Sequence, residues 1–498
     1  MACSEQKKGL LNMISGILGQ VIALITGIII PRLVLINYGS EMNGFLNSIV
    51  QIFSYMSLLE AGVGGSTLQA LYKPVANKKR KNINGILSAT AKYYNKTAKY
   101  YFILLILSSI IYSFFVNSSI SKITIISVIL FTGVNGAVGF LSSNKFNVLL
   151  RAEGKNYIIA NATTFFLMIG SVTKVFLLYR CSNIILVQGV YGIILCFPTA
   201  YLYYYRKKKY KWINYNEKPD FNSISQKNSV LVQQITTLIF NNTDVLLLSF
   251  MGQSLKVVSI YTMYNLILTM VKNMMNQIVN GFSFKLGQLY QIDKKKYIKF
   301  HHLFECLNLI IVFSSMTVVY YCLLPFIKLY TKGVNDTNYI DEKLLLLFIV
   351  IQLLDMGRLS SLNVINFAGH FKKTQNRCII EVCINIGFSI IGIYFLGIYG
   401  VLLGTICALI YRANDMILYS YKYLLHQNPM KTYRRWVLCV LVFIINIIVC
   451  SPKFFIELSY FDIIIYGMGI GVVSIIIYSF ILFVAEYKSI IIFIKANM

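Results

Sequence analysis

Apolar residues along this chain gather into long runs broken by short polar stretches. The runs fall at 10–37, 42–66, 99–116, 123–143, 156–179, 183–205, 228–251, 257–282, 301–326, 344–367, 378–396, 399–420, 437–451 and 461–485. A helix needs about 20 apolar residues to cross the hydrocarbon of a bilayer. The pattern therefore predicts an all-α polytopic membrane protein of about fourteen transmembrane helices. The first run, after Lys7 and Lys8, continues to residue 37, too long for the apolar region of a cleavable signal.

Composition sharpens this reading. Of 498 residues, 57% are hydrophobic and 13% charged, against roughly 45–50% and about 25% in soluble domains; the mean hydropathy is +0.66. An ordinary soluble enzyme, a disordered chain and a nucleic-acid-binding domain are excluded. The formal net charge of +28 comes from 46 Lys and Arg against 18 Asp and Glu. With a cytoplasmic amino terminus, 34 of those cations lie in alternate, inside segments, seven outside and five within spans. That asymmetry is the positive-inside rule, and it places both termini in the cytoplasm. Basic loops such as Arg206–Lys209 then set topology and attract anionic lipid; no nucleic-acid role follows. The cysteines show no CxxC and several lie inside apolar runs, where Cys packs as a small hydrophobe. His301 and His302 read as a solvated helix start.

Three similarities recur at nearly one offset. Thr67–Tyr72 resembles Lys285–Tyr290; Ala152-Glu-Gly154-Lys155 resembles the stretch Ala368–Lys372; and Trp212 and Trp436 each follow a basic stretch. They divide the chain into two six-helix bundles, 1–227 and 228–436, followed by two extra helices in 437–498. Six is even, so both bundles start inside and the repeat is parallel. Transporters of that design hold substrate near the midplane.

Polar side chains recur at helical spacing inside several spans. The seventh carries Gln234, Thr237, Asn241 and Asp244; the eighth carries Asn273, Asn276, Gln277 and Asn280 beside Lys272. The second has Asn43, Asn47, Gln51 and Ser54, and the tenth Gln352, Asp355, Asn363 and Asn366. Amides donate and accept at once, which suits sugar hydroxyls; the competing use is helix–helix hydrogen bonding. Charges discriminate better, since each costs about 2.5–3.5 kcal/mol at a span centre. Asp355 with Arg358, and Arg412 with Asp415, are spaced to pair on one helix face. Lys174 and Arg412 lie near helix ends and can snorkel. Arg32 and Lys272 have no acid nearby in sequence, which makes them candidates for an anionic ligand, with Asp244 as an acid that could pair with either. Candidate substrate-binding residues are therefore Arg32, Asn241, Asp244, Lys272, Asn273, Asn276, Gln277, Asn280, Asp355 and Arg358.

These features resemble the Wzx-like polysaccharide flippases of the multidrug/oligosaccharidyl-lipid/polysaccharide (MOP) exporter superfamily. The residues that carry the likeness are Pro31-Arg32 through Gly39 and Gly44, Glu60-Ala-Gly62, Asn241-Asn-Thr-Asp244 and Ala368–Thr374. The resemblance implies a bacterial plasma-membrane flippase. It would carry undecaprenyl-diphosphate-linked oligosaccharide to the outer leaflet by alternating access, for O-antigen, capsule or exopolysaccharide synthesis, beside a polysaccharide polymerase machinery. No phosphate-loop motif is present, so a proton or sodium gradient, or consumption of the flipped lipid, would supply energy, and no cofactor is expected. Two readings in the same superfamily compete: a multidrug cation antiporter, disfavoured because the first span holds no acid, and a cell-wall lipid precursor flippase, which differs only in headgroup. A membrane glycan polymerase is a third. It would need catalytic carboxylates on a large outer loop, and the longest outer loop, about 327–343, offers only Asp336, Asp341 and Glu342.

Overall fold

The computed structural model describes residues 2–60, 63–142, 144–221, 227–251, 254–449 and 459–497, and every regular element among them is helical. Eleven helices among the described residues are long and apolar enough to cross a membrane. They reconcile with fourteen expected spans element by element. Helix α1 (Ala2–Met56) holds two of those spans: Gly39, between the expected ends, leaves helical geometry at φ 81°, ψ 175°, which glycine adopts without steric cost. Helices α9 (Lys227–Met251) and α10 (Leu255–Ile292) occupy spans seven and eight without being among the eleven. Both carry the amide stripes, which lower their hydropathy.

The chain divides into two compact units, Met1–Ser259 and Ile260–Met498. Unit 1 adds α2 (Val63–Ala76), α3 (Arg80–Phe115), α4 (Lys122–Ser142), α5 (Asn144–Ala152), α6 (Asn156–Tyr179), α7 (Ile184–Ile194) and α8 (Phe197–Lys209). α7 and α8 form one expected span, interrupted just ahead of Pro198 in the first turn of α8, where proline is tolerated. α2 and α5 are too short to cross. They pack with the start of α3 into a buried cluster that includes Leu71, Ile86, Leu87, Phe146, Leu149 and Leu150. That cluster explains why α3 begins 19 residues before its expected start: the added turns belong to a capping layer. Lys145 and Arg206 both lie about 5 Å from the Tyr215 ring, and burial, with Arg206 nearby, lowers the Lys145 pKa.

Unit 2 contains most of α10, then α11 (Lys294–Tyr330), α12 (Glu342–Gly357), α13 (Leu359–Phe367), α14 (Phe371–Leu396), α15 (Ile398–Tyr419), α16 (Met430–Val449) and α17 (Tyr460–Asn497). Asp293 and Asp341 cap α11 and α12, accepting from Lys296 N at 2.9 Å and Lys343 N at 2.8 Å. α14 and α15 touch backbone to backbone. A Cβ on Gly400 would run into the Gly392 carbonyl, and one on Gly404 would lie 2.6 Å from Ser389 N. Small residues permit such approaches between membrane helices. Large apolar side chains such as Phe114, Phe395 and Ile448 stay exposed, as a lipid-facing surface requires.

The internal repeat has a local structural basis. After α5, Lys155 N bonds Leu150 O (2.8 Å) and Gly154 N bonds Arg151 O (3.0 Å); after α13, His370 N bonds Ile365 O (3.2 Å) and Gly369 N bonds Asn366 O (3.1 Å). Both glycines have positive φ, +70° and +66°. These are two copies of one Schellman-type stop, 215 positions apart. Leu149 and Leu150 in one apolar cluster match Val364 and Ile365 in the other at the same offset. The tryptophan match does not carry over: Trp212 lies in a loop, whereas Trp436 lies inside α16 beside Gly357 and Phe313.

Candidate functional site

Unit 2 contains a ladder of alternating charges built from four helices and the α12–α13 junction. Lys272 on α10 pairs with Asp355 on α12. Asp355 also holds Arg358, between α12 and α13, at 2.8 Å, and Arg358 reaches Glu381 on α14 at 2.7 Å. Glu381 faces Arg412 on α15 at 3.3 Å; Arg412 holds Asp415 at 2.7 Å, and Asp415 pairs with Arg377 on α14. Four cations thus share three carboxylates. The interior is closed, with side-chain exposures of 2% at Arg412, 9% at Glu381 and 10% at Arg358. The ends are open: Lys272 is 31% and Arg377 33% exposed. A ladder with one positive charge in excess and accessible cations at its ends can accept an anion without first burying a new charge.

The ladder places several expected residues and corrects others. Asp355–Arg358 and Arg412–Asp415 pair as their spacing predicts. Lys272, which lacks an acid in its own sequence neighbourhood, receives one from 83 residues away; its partner is Asp355 rather than Asp244, which is buried on α9 in unit 1. Neither expected snorkelling cation snorkels. Arg412 lies inside the ladder, and Lys174, 8% exposed, donates to Gln188 Oε1 at 3.2 Å with its ammonium 4.4 Å from the Tyr191 ring. Arg32 is half-buried on α1. In the eighth span Asn273 is exposed and Asn276 half-buried. The side chains of Gln277, Asn280 and Asn241 lie outside the described residues. Of the second-span amides, Asn43 donates to Ser259 Oγ at 2.7 Å and Asn47 to its own helix at 2.9 Å, so these two serve packing.

Sequence reasoning missed Glu381, although it is an acid inside an apolar run and carries the same insertion cost as the charges singled out. It also missed a second buried group. Glu305 on α11 accepts from Tyr421 (2.9 Å) and Thr432 (3.0 Å) and pairs with Arg435 on α16; Arg435 reaches Glu486 on α17 at 3.2 Å. Arg435 is only 1% exposed, a span residue where the charge count reads a loop. His301 is buried rather than solvated, because α11 starts seven residues ahead of it.

Unit 1 has its own cavity of about 710 Å³, lined by polar and apolar side chains. Gln20, Asn135, Asn144, Asn147, Thr163 and Thr164 line it, with Phe53 and Phe140 as apolar walls. Glu60 is the charged side chain among the described lining residues, and its Oε1 accepts from Tyr94 at 2.8 Å. The lining draws on the start of α1, the ends of α4 and of the second half of α1, and the starts of α5, α6 and α8. The cavity therefore sits toward the end of unit 1 that carries the basic loops.

No family model and no curated protein matches the sequence. Solved structures do match. The lipid II flippase MurJ in an inward closed conformation aligns with a TM-score of 0.63 at 16% identity, covering 96% of this chain and 100% of that one. An inward-facing multidrug resistance MATE family transporter of the MOP superfamily aligns with a TM-score of 0.62 at 13% identity, covering 82% and 97%. An outward-facing multidrug resistance MATE family transporter of the same superfamily gives 0.55 at 14%, covering 84% and 95%. At such identities the likeness establishes the fold. The chain is a multi-pass membrane protein with the fold of MOP-superfamily transporters and flippases.

Proposed function

We propose that this protein is a flippase for an undecaprenyl-diphosphate-linked oligosaccharide, working by alternating access in a bacterial plasma membrane with both termini cytoplasmic. The observation that carries the reading is the charge ladder of unit 2, which holds one cation in excess and leaves Lys272, paired with Asp355, accessible at its end. A diphosphate entering a low-dielectric site needs compensating positive charge, and an organic cation would be repelled by it. Lys272 is the proposed diphosphate ligand of unit 2, with the exposed Asn273 and half-buried Asn276 on the same helix as proposed partners for sugar hydroxyls. Arg32 is proposed separately as an anion-binding residue of unit 1.

The test uses leaflet-specific accumulation of lipid-linked oligosaccharide, with surface polysaccharide as the second readout. Loss of Lys272 leaves Asp355 still held by Arg358 at 2.8 Å, so Lys272→Ala should express near normally. Transport should fall by at least about tenfold, the equivalent of roughly 1.4 kcal/mol. Lys272→Arg should restore part of it, and Arg32→Ala with Arg32→Lys should behave alike. Normal surface polysaccharide in both stable alanine variants overturns the assignment.

A further inference from the structure

We infer that the cavity inside unit 1 is a binding subsite for the neutral saccharide part of the substrate. The clue is an unmet amide beside the cavity: Asn147 is one of its lining residues, and its Oδ1 is shielded from solvent with no hydrogen-bond partner. Buried amide oxygens are normally satisfied, and a turn of the Asn147 side chain toward the cavity would give this one a donor on a bound ligand. Around it stand three more amides, Gln20, Asn135 and Asn144, and the hydroxyls of Thr163 and Thr164. Amides and hydroxyls both donate and accept, the matching set for a polyol. Phe53 and Phe140 supply apolar faces for sugar carbons. The volume, about 710 Å³, falls within the roughly 300–1,000 Å³ of small-ligand sites.

Charge decides the class of ligand. No Lys or Arg stands among the described lining residues, and the carboxylate of Glu60 would repel a phosphate. Glu60 already accepts from Tyr94, and a second acceptor position on a carboxylate suits a vicinal hydroxyl. The cavity has an unobstructed wall for a blocking substitution: a Cβ on Gly16 would meet nothing within 4 Å.

The inference rests on the flippase reading for the identity of the sugar, and the test separates the two. The full chain in nanodiscs is titrated with two probes: the oligosaccharide released by mild acid from the lipid-linked pool of a strain lacking this protein, and undecaprenyl diphosphate bearing no sugar. Gly16→Trp should abolish oligosaccharide binding, and Asn147→Leu should weaken it about tenfold, the loss of roughly one buried hydrogen bond. Both variants should bind undecaprenyl diphosphate normally, and Lys272→Ala should do the reverse. Oligosaccharide binding that is absent, or that survives both cavity substitutions, overturns the inference. So does a cavity that takes up tetraphenylphosphonium in a Glu60-dependent way while ignoring sugar. An unchanged affinity of Lys272→Ala for undecaprenyl diphosphate would instead sink the diphosphate assignment and leave the saccharide subsite standing.

Discussion

A single carboxylate holds the middle of the charge ladder. Glu381 meets Arg358 at 2.7 Å and Arg412 at 3.3 Å, both guanidinium groups almost closed to solvent. Removing its charge leaves Asp355 as the carboxylate holding Arg358 and Asp415 as the one holding Arg412, and doubles the ladder's excess positive charge. The loss is bounded by the roughly 3–5 kcal/mol of a fully stranded buried charge. Glu381→Gln should therefore lower the thermal stability of the purified protein well below that of Lys272→Ala, which removes only a terminal charge. A melting temperature for Glu381→Gln no lower than that of Lys272→Ala would mean that the ladder is not a stabilising unit. The charges themselves were legible in the sequence, since any ionisable group in an apolar run is conspicuous. Their partners were legible only where pairing is local, as at Asp355–Arg358. The contacts of Lys272 with Asp355 and of Arg358 with Glu381 join residues 83 and 23 positions apart, and helix periodicity holds no information about which helices become neighbours.

Between elements, backbone approach replaces side-chain packing. Gly392, Gly400 and Gly404 let α14 and α15 come close enough to pair Glu381 with Arg412 and Arg377 with Asp415 across them. Gly400→Val should push the helices apart and destabilise the fold by about 1–3 kcal/mol or more, as overpacking does. Gly387→Ala, on the same α14 but with nothing within 4 Å of the added carbon, should be neutral or stabilising by up to about 1 kcal/mol, the ordinary helix preference for alanine. Thermal unfolding of the two variants side by side checks the contrast, and equal losses would place the cost in something other than close approach. The spans themselves were readable because an apolar run of membrane length has few alternatives to a helix. α2 and α5 were not, because they are too short and too polar to stand out, and their apolar faces meet partners only in the folded unit. The Gly154 and Gly369 stops were half readable. Their glycines were aligned from sequence, but the shared hydrogen-bond pattern behind them needed coordinates.

For the molecule as a whole, orientation follows from where its positive charge lies. The basic segments at 206–227 and 285–299 flank the same pair of helices, α9 and α10, and an even number of crossings between them puts both on one side of the membrane. Splitting α1 at Gly39 matters here: read as one span, it would invert every loop downstream. If the basic side is cytoplasmic, as the positive-inside rule and anionic lipid predict, the stretch 327–343, between α11 and α12, lies outside. A chain with its native cysteines replaced allows a direct check. With Asn335→Cys, an impermeant thiol reagent should label intact cells; with Lys208→Cys, labelling should require permeabilised membranes. The unit 1 cavity would then face the compartment in which lipid-linked sugars are assembled, since α5 and α8 bring its lining close to the Arg206–Lys209 run. Labelling at Lys208 but not at Asn335 in intact cells would reverse that orientation, and with it the direction of transport proposed here.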